Sequence, residues 1–186
     1  MPEFPPIPPW DSLHPLVVHF PIVLLLLSPL FMIVGAILSP AKARPYMISA
    51  LIILLLGTGS LFLAGYSGEA AASVADRNPD INAVLAAHED LASGTEVVFS
   101  VLSVLLLGIV VLPAILRCQD TRLTTTFMPL SFLVLYCVGI LFVINTAHAG
   151  ARLVHQYGIH ALIPAPCSQS GASPVAEGAA QTIDKR

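Results

Sequence analysis

Four long windows of this chain carry no Asp, Glu, Lys or Arg: residues 12–41, 45–68, 97–116 and 123–151, of 30, 24, 20 and 29 residues. A helix of roughly 20 apolar residues crosses a hydrocarbon core about 30 Å thick, so each window is long enough to span a membrane. The composition agrees. Charged residues make up 10% of the 186, hydrophobic ones 56%, and the mean hydropathy is +0.85. A soluble domain carries about 25% charged residues, so a water-soluble enzyme is excluded. A formal charge of −3 without a basic patch excludes a nucleic-acid binder.

Only helices and closed barrels satisfy the backbone in lipid, and these runs lack the alternation of barrel strands. The expected fold is an all-α membrane protein, a four-transmembrane-helix bundle with spans near Leu16–Leu38, Met47–Tyr66, Val97–Ile115 and Phe127–Ala147. Flanking it are an extended Pro-rich segment at 1–12 and a flexible tail at 161–186, leaving 13–160 as the membrane domain. The loop at 40–45 carries Lys42 and Arg44, and that at 117–122 carries Arg117 and Arg122; ten of the eleven acids fall on the other side. Lys and Arg in short loops mark the cytoplasmic face. Both termini are therefore expected on the periplasmic side of a bacterial inner membrane. The start lacks the basic n-region of a cleavable signal peptide, and Trp10 is placed as an interfacial anchor. Cys118, Cys137 and Cys167 form no CxxC pair or CxxCH haem-attachment motif, and no disulfide is expected among them.

All six histidines fall on the outward half of this topology: His14, His19, His88, His148, His155 and His160. His148 and His155 lie about 20° apart around a helix and about 10 Å apart along it, a column on one face. His14 and His19 are about 140° apart if both are helical, with Pro21 removing a backbone donor nearby. Neutral imidazole ligates metals and haem iron, and two histidines from different helices at one depth can sandwich a haem in a four-helix bundle. The bland alternatives are interfacial side chains or hydrogen-bond partners within the bundle, although ionisable groups inside a membrane are functional candidates by default.

By depth, His19 pairs with His148 at a deeper site, and His14 or His88 with His155 at a shallower one. His160 lies beyond the last helix and is discounted. Arg152, in the same turn as the column, suits a haem propionate or a lipid phosphate, or simply snorkels. Gly57, Ser60, Ala64 and Gly68 form a small-residue stripe that admits a macrocycle or, more simply, a packed helix. Glu69 and Glu96 border the membrane on the histidine side, as quinol proton acceptors or as markers of the water boundary. His88-Glu89-Asp90 lacks the second histidine of an HExxH metalloprotease.

The opening Leu13-His14-Pro15-Leu16-Val17-Val18-His19-Phe20-Pro21 resembles a bacterial membrane-protein family catalogued as domain of unknown function 2231. Further matches are Gly65 with Gly68-Glu69-Ala70, His88-Glu89-Asp90-Leu91-Ala92, and Gly150 with Leu153-Val154 and Tyr157-Gly158. The resemblance spans roughly residues 12–160. It implies a four-helix membrane module often encoded beside, or fused to, c-type cytochromes, with His14, His19 and His88 as functional residues. Helix four departs from the pattern: the family usually has a Tyr near His155 and an apolar residue near His148.

These readings converge on a membrane b-type cytochrome-like electron-transfer subunit rather than a stand-alone enzyme. It would bind one or two haem b groups through His14, His19, His88, His148 and His155, with Arg152 beside them. It would pass electrons between quinol, or a partner subunit of a redox complex, and a periplasmic cytochrome c. The alternatives are a cofactor-free structural or assembly subunit of a larger membrane complex, or a copper- or zinc-binding membrane protein using the same imidazoles.

Overall fold

A computed structural model describes residues 7–75, 77–117 and 121–159. Four helices are long and apolar enough to cross a membrane: α1 (His14–Ile37), α2 (Pro40–Val74), α3 (Pro79–Ile115) and α4 (Leu123–His155). A 3-10 turn at Trp10–Ser12 precedes α1, and α1 itself breaks at Val18. No strand occurs among the described residues. The expectation of four membrane helices holds.

The chain alternates direction. His14 at the start of α1 meets Ala64 near the end of α2, and His88 near the start of α3 meets Thr146 near the end of α4. At the opposite end Arg122 donates to the Leu38 carbonyl and Thr126 to that of Ala36. The described chain therefore begins and finishes at one end of the bundle, which carries the histidines. The other end carries Lys42, Arg44, Arg117 and Arg122 and is called here the basic end.

Several sequence boundaries are corrected. Residues 40–45, expected as a loop, are the first turns of α2, and the connection shrinks to Leu38-Ser39. Proline is at ease at a first helical position, where its missing N–H has no helical partner to lose, and Pro40 stands there. The amphipathic stretch 82–91 is continuous with the third span: α3 has 37 residues, or about 55 Å at 1.5 Å per residue. Its start is fixed by Asn78, whose Oδ1 accepts the Ile81 N–H at 2.8 Å, with Pro79 and Asp80 in the first turn. Of the segment expected to be extended, Trp10–Ser12 instead forms a turn, closed by the Leu13 N–H on the Trp10 carbonyl. Residues 1–6, His160 and the tail, Cys118 and Cys167 lie outside the described residues; Cys137 is exposed on α4.

The interior and surface are partitioned as lipid demands. Large apolar side chains such as Phe20, Leu63, Val104 and Val134 face outward, while Leu25, Met32, Leu54, Phe99, Leu106 and Tyr136 form the core. Burial in lipid gives little drive to bring apolar helices together, so close approach and internal hydrogen bonds take that role. Gly57 shows the approach: a Cβ there would stand 2.8 Å from Leu25 Cδ2.

Proline decides where the hydrogen bonds go. Pro29 inside α1 has no N–H for the Leu25 carbonyl four residues earlier, and the Tyr136 hydroxyl of α4 donates to it at 2.8 Å. Thr126 donates to the Ala36 carbonyl at 3.0 Å, one of the last carbonyls of α1, which has no following helical turn to serve it. Ser28 donates to the Ala50 carbonyl and Thr58 pairs with Ser103, both at 2.9 Å. Among the described residues no buried side-chain polar atom lacks a partner. Beyond the main core, Ala72, Val84, Leu85 and Leu153 form a second cluster against Tyr157 and Ile159. This cluster ties together the histidine-bearing ends of α2, α3 and α4.

Candidate functional site: two imidazoles seated on glycine

His14 and His88 face each other at that end. His14 opens α1 ahead of Pro15, and its Nδ1 lies 3.0 Å from the Ala64 carbonyl and 3.1 Å from Ser67 Oγ on α2. Ser67 donates to the same carbonyl at 3.0 Å. On α3, His88 Nδ1 lies 3.0 Å from the Thr146 carbonyl of α4. A carbonyl only accepts, so each Nδ1 is assigned the proton, and in the neutral ring each Nε2 keeps its lone pair. The ring centroids are 6.5 Å apart with planes at 83°. Both side chains are half-buried.

Two glycines make room for the rings. A Cβ at Gly68 would come within 3.0 Å of His14 Cε1, and one at Gly150 within 3.1 Å of His88 Cε1. Gly65 provides a third close approach, beneath the half-buried Glu96, whose Oε1 would be 2.5 Å from an added Cβ. The segment that receives His88 is braced from behind. Thr146 and Thr95 share a hydrogen bond at 2.9 Å, and each hydroxyl also reaches a carbonyl of its own helix, Phe142 and Leu91.

The structure therefore brings together His14 and His88, a pair that matching by depth did not select. His19, His148 and His155 are exposed. His19 follows the break at Val18. The inward positions of α4 are Gly139, Val143, Ala149 and Leu153; His148 and His155 share a face, as their spacing requires, but a different one. Arg152 is exposed and donates from Nε to Gln156 Oε1 at 3.0 Å. Glu69, Glu89 and Asp90 are exposed as well. The small-residue stripe of α2 packs against α1: Gly57 meets Leu25 and Gly68 meets His14.

Depth reasoning missed the receiving carbonyls of Ala64 and Thr146, because a backbone carbonyl leaves no mark in a sequence, and with them the Ser67 hydroxyl beside His14. The glycines did leave one. Gly68 and Gly150, which carry part of the family resemblance, lie against the two imidazoles. Gly158, from the same set, adopts φ +65°. There its N–H reaches the Val154 carbonyl and closes α4. Among the described residues no three His, Cys, Asp or Glu side chains gather as a metal site.

Fold and site define a four-helix membrane protein with a paired-histidine centre at one end. The chain matches the model of the predicted membrane protein family DUF2231 over residues 11–162 and belongs to that family. No curated protein and no solved structure matches it.

Proposed function

We propose that His14 and His88 would hold a b-type haem and that the protein is an electron-transfer subunit of a membrane redox complex. The observation that carries this reading is the pairing of the two imidazoles. The two rings stand 6.5 Å apart with planes at 83°, which brings two imidazoles from different helices together at one end of the bundle, each with its Nδ1 on a backbone carbonyl. The donor set also favours haem over zinc. Zinc sites draw three or four ligands from protein, whereas haem iron asks for two at most. Each Nδ1–H bound to a backbone carbonyl orients its ring and leaves Nε2 to the metal.

When bound, haem supplies one-electron redox chemistry. The chain's own part is to hold the two rings, fix their tautomers and set the apolar core of the bundle between the site and the basic end. Positive loop charge directs the basic end to the cytoplasm, so the site would face the periplasm, where a c-type cytochrome can exchange electrons with a subunit fed by quinol or by a partner. Arg152, exposed on the same end, would be a cation for a propionate.

The test is a reduced-minus-oxidised visible spectrum of the full chain expressed with ample haem. A Soret and α-band are expected for the wild type, lost in His14→Ala and His88→Ala and kept in His19→Ala, His148→Ala and His155→Ala. A pigment-free wild type would overturn the reading. The hydrogen bonds from each imidazole to a neighbouring helix favour a second reading, in which the pair pins α1 to α2 and α3 to α4 in a cofactor-free assembly subunit. In that case the two substitutions lower stability and complex formation without any spectral change.

A further inference from the structure

At the basic end a groove of about 330 Å³ runs between α3 and the start of α4, lined by Leu105, Gly108, Leu112, Leu116, Thr124 and Met128. Ile109, Pro113 and Thr124 also wall a smaller neighbouring pocket, whose lining includes Arg44 of α2 and Thr125. An apolar groove thus lies next to a pocket that Arg44 helps to line. Two sequence choices keep it open. A Cβ at Gly108 would meet nothing within 4 Å, so the missing side chain leaves space that no neighbour fills. Pro113 has no N–H for the Ile109 carbonyl, which adds an acceptor of hydrogen bonds where groove and pocket meet.

We propose that this groove binds one anionic phospholipid, an acyl chain lying past Gly108 and Leu112 and the phosphate at Arg44. Charge complementarity selects this occupant. Lys42, Arg44, Arg117 and Arg122 all fall at this end of the bundle, a guanidinium matches phosphate oxygens in a bidentate fork, and basic pockets between membrane helices take anionic headgroups. The proposal is independent of the haem reading, because groove and imidazoles lie at opposite ends of the bundle.

The experiment uses delipidated full chain in detergent, offered phosphatidylglycerol or phosphatidylcholine with identical acyl chains, with bound copies counted by native mass spectrometry. Wild type should prefer phosphatidylglycerol by about fivefold, the value of one basic residue against an anionic lipid. Arg44→Gln should abolish the preference. Gly108→Leu should displace both lipids by filling the groove, while Gly59→Leu, on α2 and also in open space, should retain them. Equal binding of the two lipids by wild type, an unchanged preference in Arg44→Gln, or the same loss in Lys42→Gln would overturn the proposal.

Discussion

Replacing Tyr136 by Phe isolates the hydrogen bond that makes a helix-interior proline tolerable. Tyr136 is 1% exposed and Leu25, whose carbonyl it serves at 2.8 Å, is 0% exposed. Phe keeps the ring contacts with Phe99 and Phe132, at 5.4 and 5.9 Å, so the change is confined to the hydroxyl. Leaving a buried acceptor without a donor costs about 1–3 kcal/mol, while side-chain hydrogen bonds between membrane helices average about 0.6 and reach about 1.7 kcal/mol. With no backbone N–H at Pro29 to take over, the cost should lie near the top of the membrane range, about 1.5 kcal/mol. Pro29→Ala returns an N–H to the correct place. On that background Tyr136→Phe should cost only about 0.5 kcal/mol, giving a coupling of about 1 kcal/mol. Reversible unfolding of the four proteins from mixed micelles with increasing dodecyl sulfate, followed by far-ultraviolet circular dichroism, measures the cycle. Costs of Tyr136→Phe that agree within about 0.3 kcal/mol on the two backgrounds would refute the assignment.

The remaining predictions concern the glycines. Gly68→Val places branched carbon where a Cβ is already 3.0 Å from His14; overpacking of this kind costs about 1–3 kcal/mol. His14 should leave the Ala64 carbonyl, seen as a changed Nδ1 shift in imidazole nitrogen spectra, and an unchanged spectrum would contradict the seating. Gly158→Ala forces an L side chain into φ +65°, at about 1–2 kcal/mol. Hydrogen exchange should accelerate at Gly158 and Ile159, whose N–H groups close α4, and not at Tyr136.

The four spans were legible because lipid imposes a one-dimensional rule: a long charge-free run either crosses or does not. Helix ends were not, because α2 and α3 run well past the apolar layer and their extensions are stabilised by packing among Ala72, Val84, Leu85 and Leu153 rather than by hydropathy. Charge misled at the boundary, because Lys42 and Arg44 lie within the first turns of α2. Residues 40–45 read as a loop, yet Pro40 stands at the first position of α2, where its missing N–H has no helical partner to lose.

The same distinction between position along an axis and position around it governs the site. Depth alone put six histidines at one end, and depth is set by topology, which charge reveals. Facing is set by helix contacts, and lipid-exposed and interior surfaces here are both apolar, so periodicity gives almost no signal for which face turns inward. Small residues are the exception, because an interior glycine has a packing consequence wherever a bulky group must come close. Gly68 and Gly150, each within reach of one imidazole, carry the facing information that six histidines and a hydropathy profile lack. In a bundle of this kind, the glycines opposite a histidine are a better guide to its orientation than the spacing of the histidines themselves.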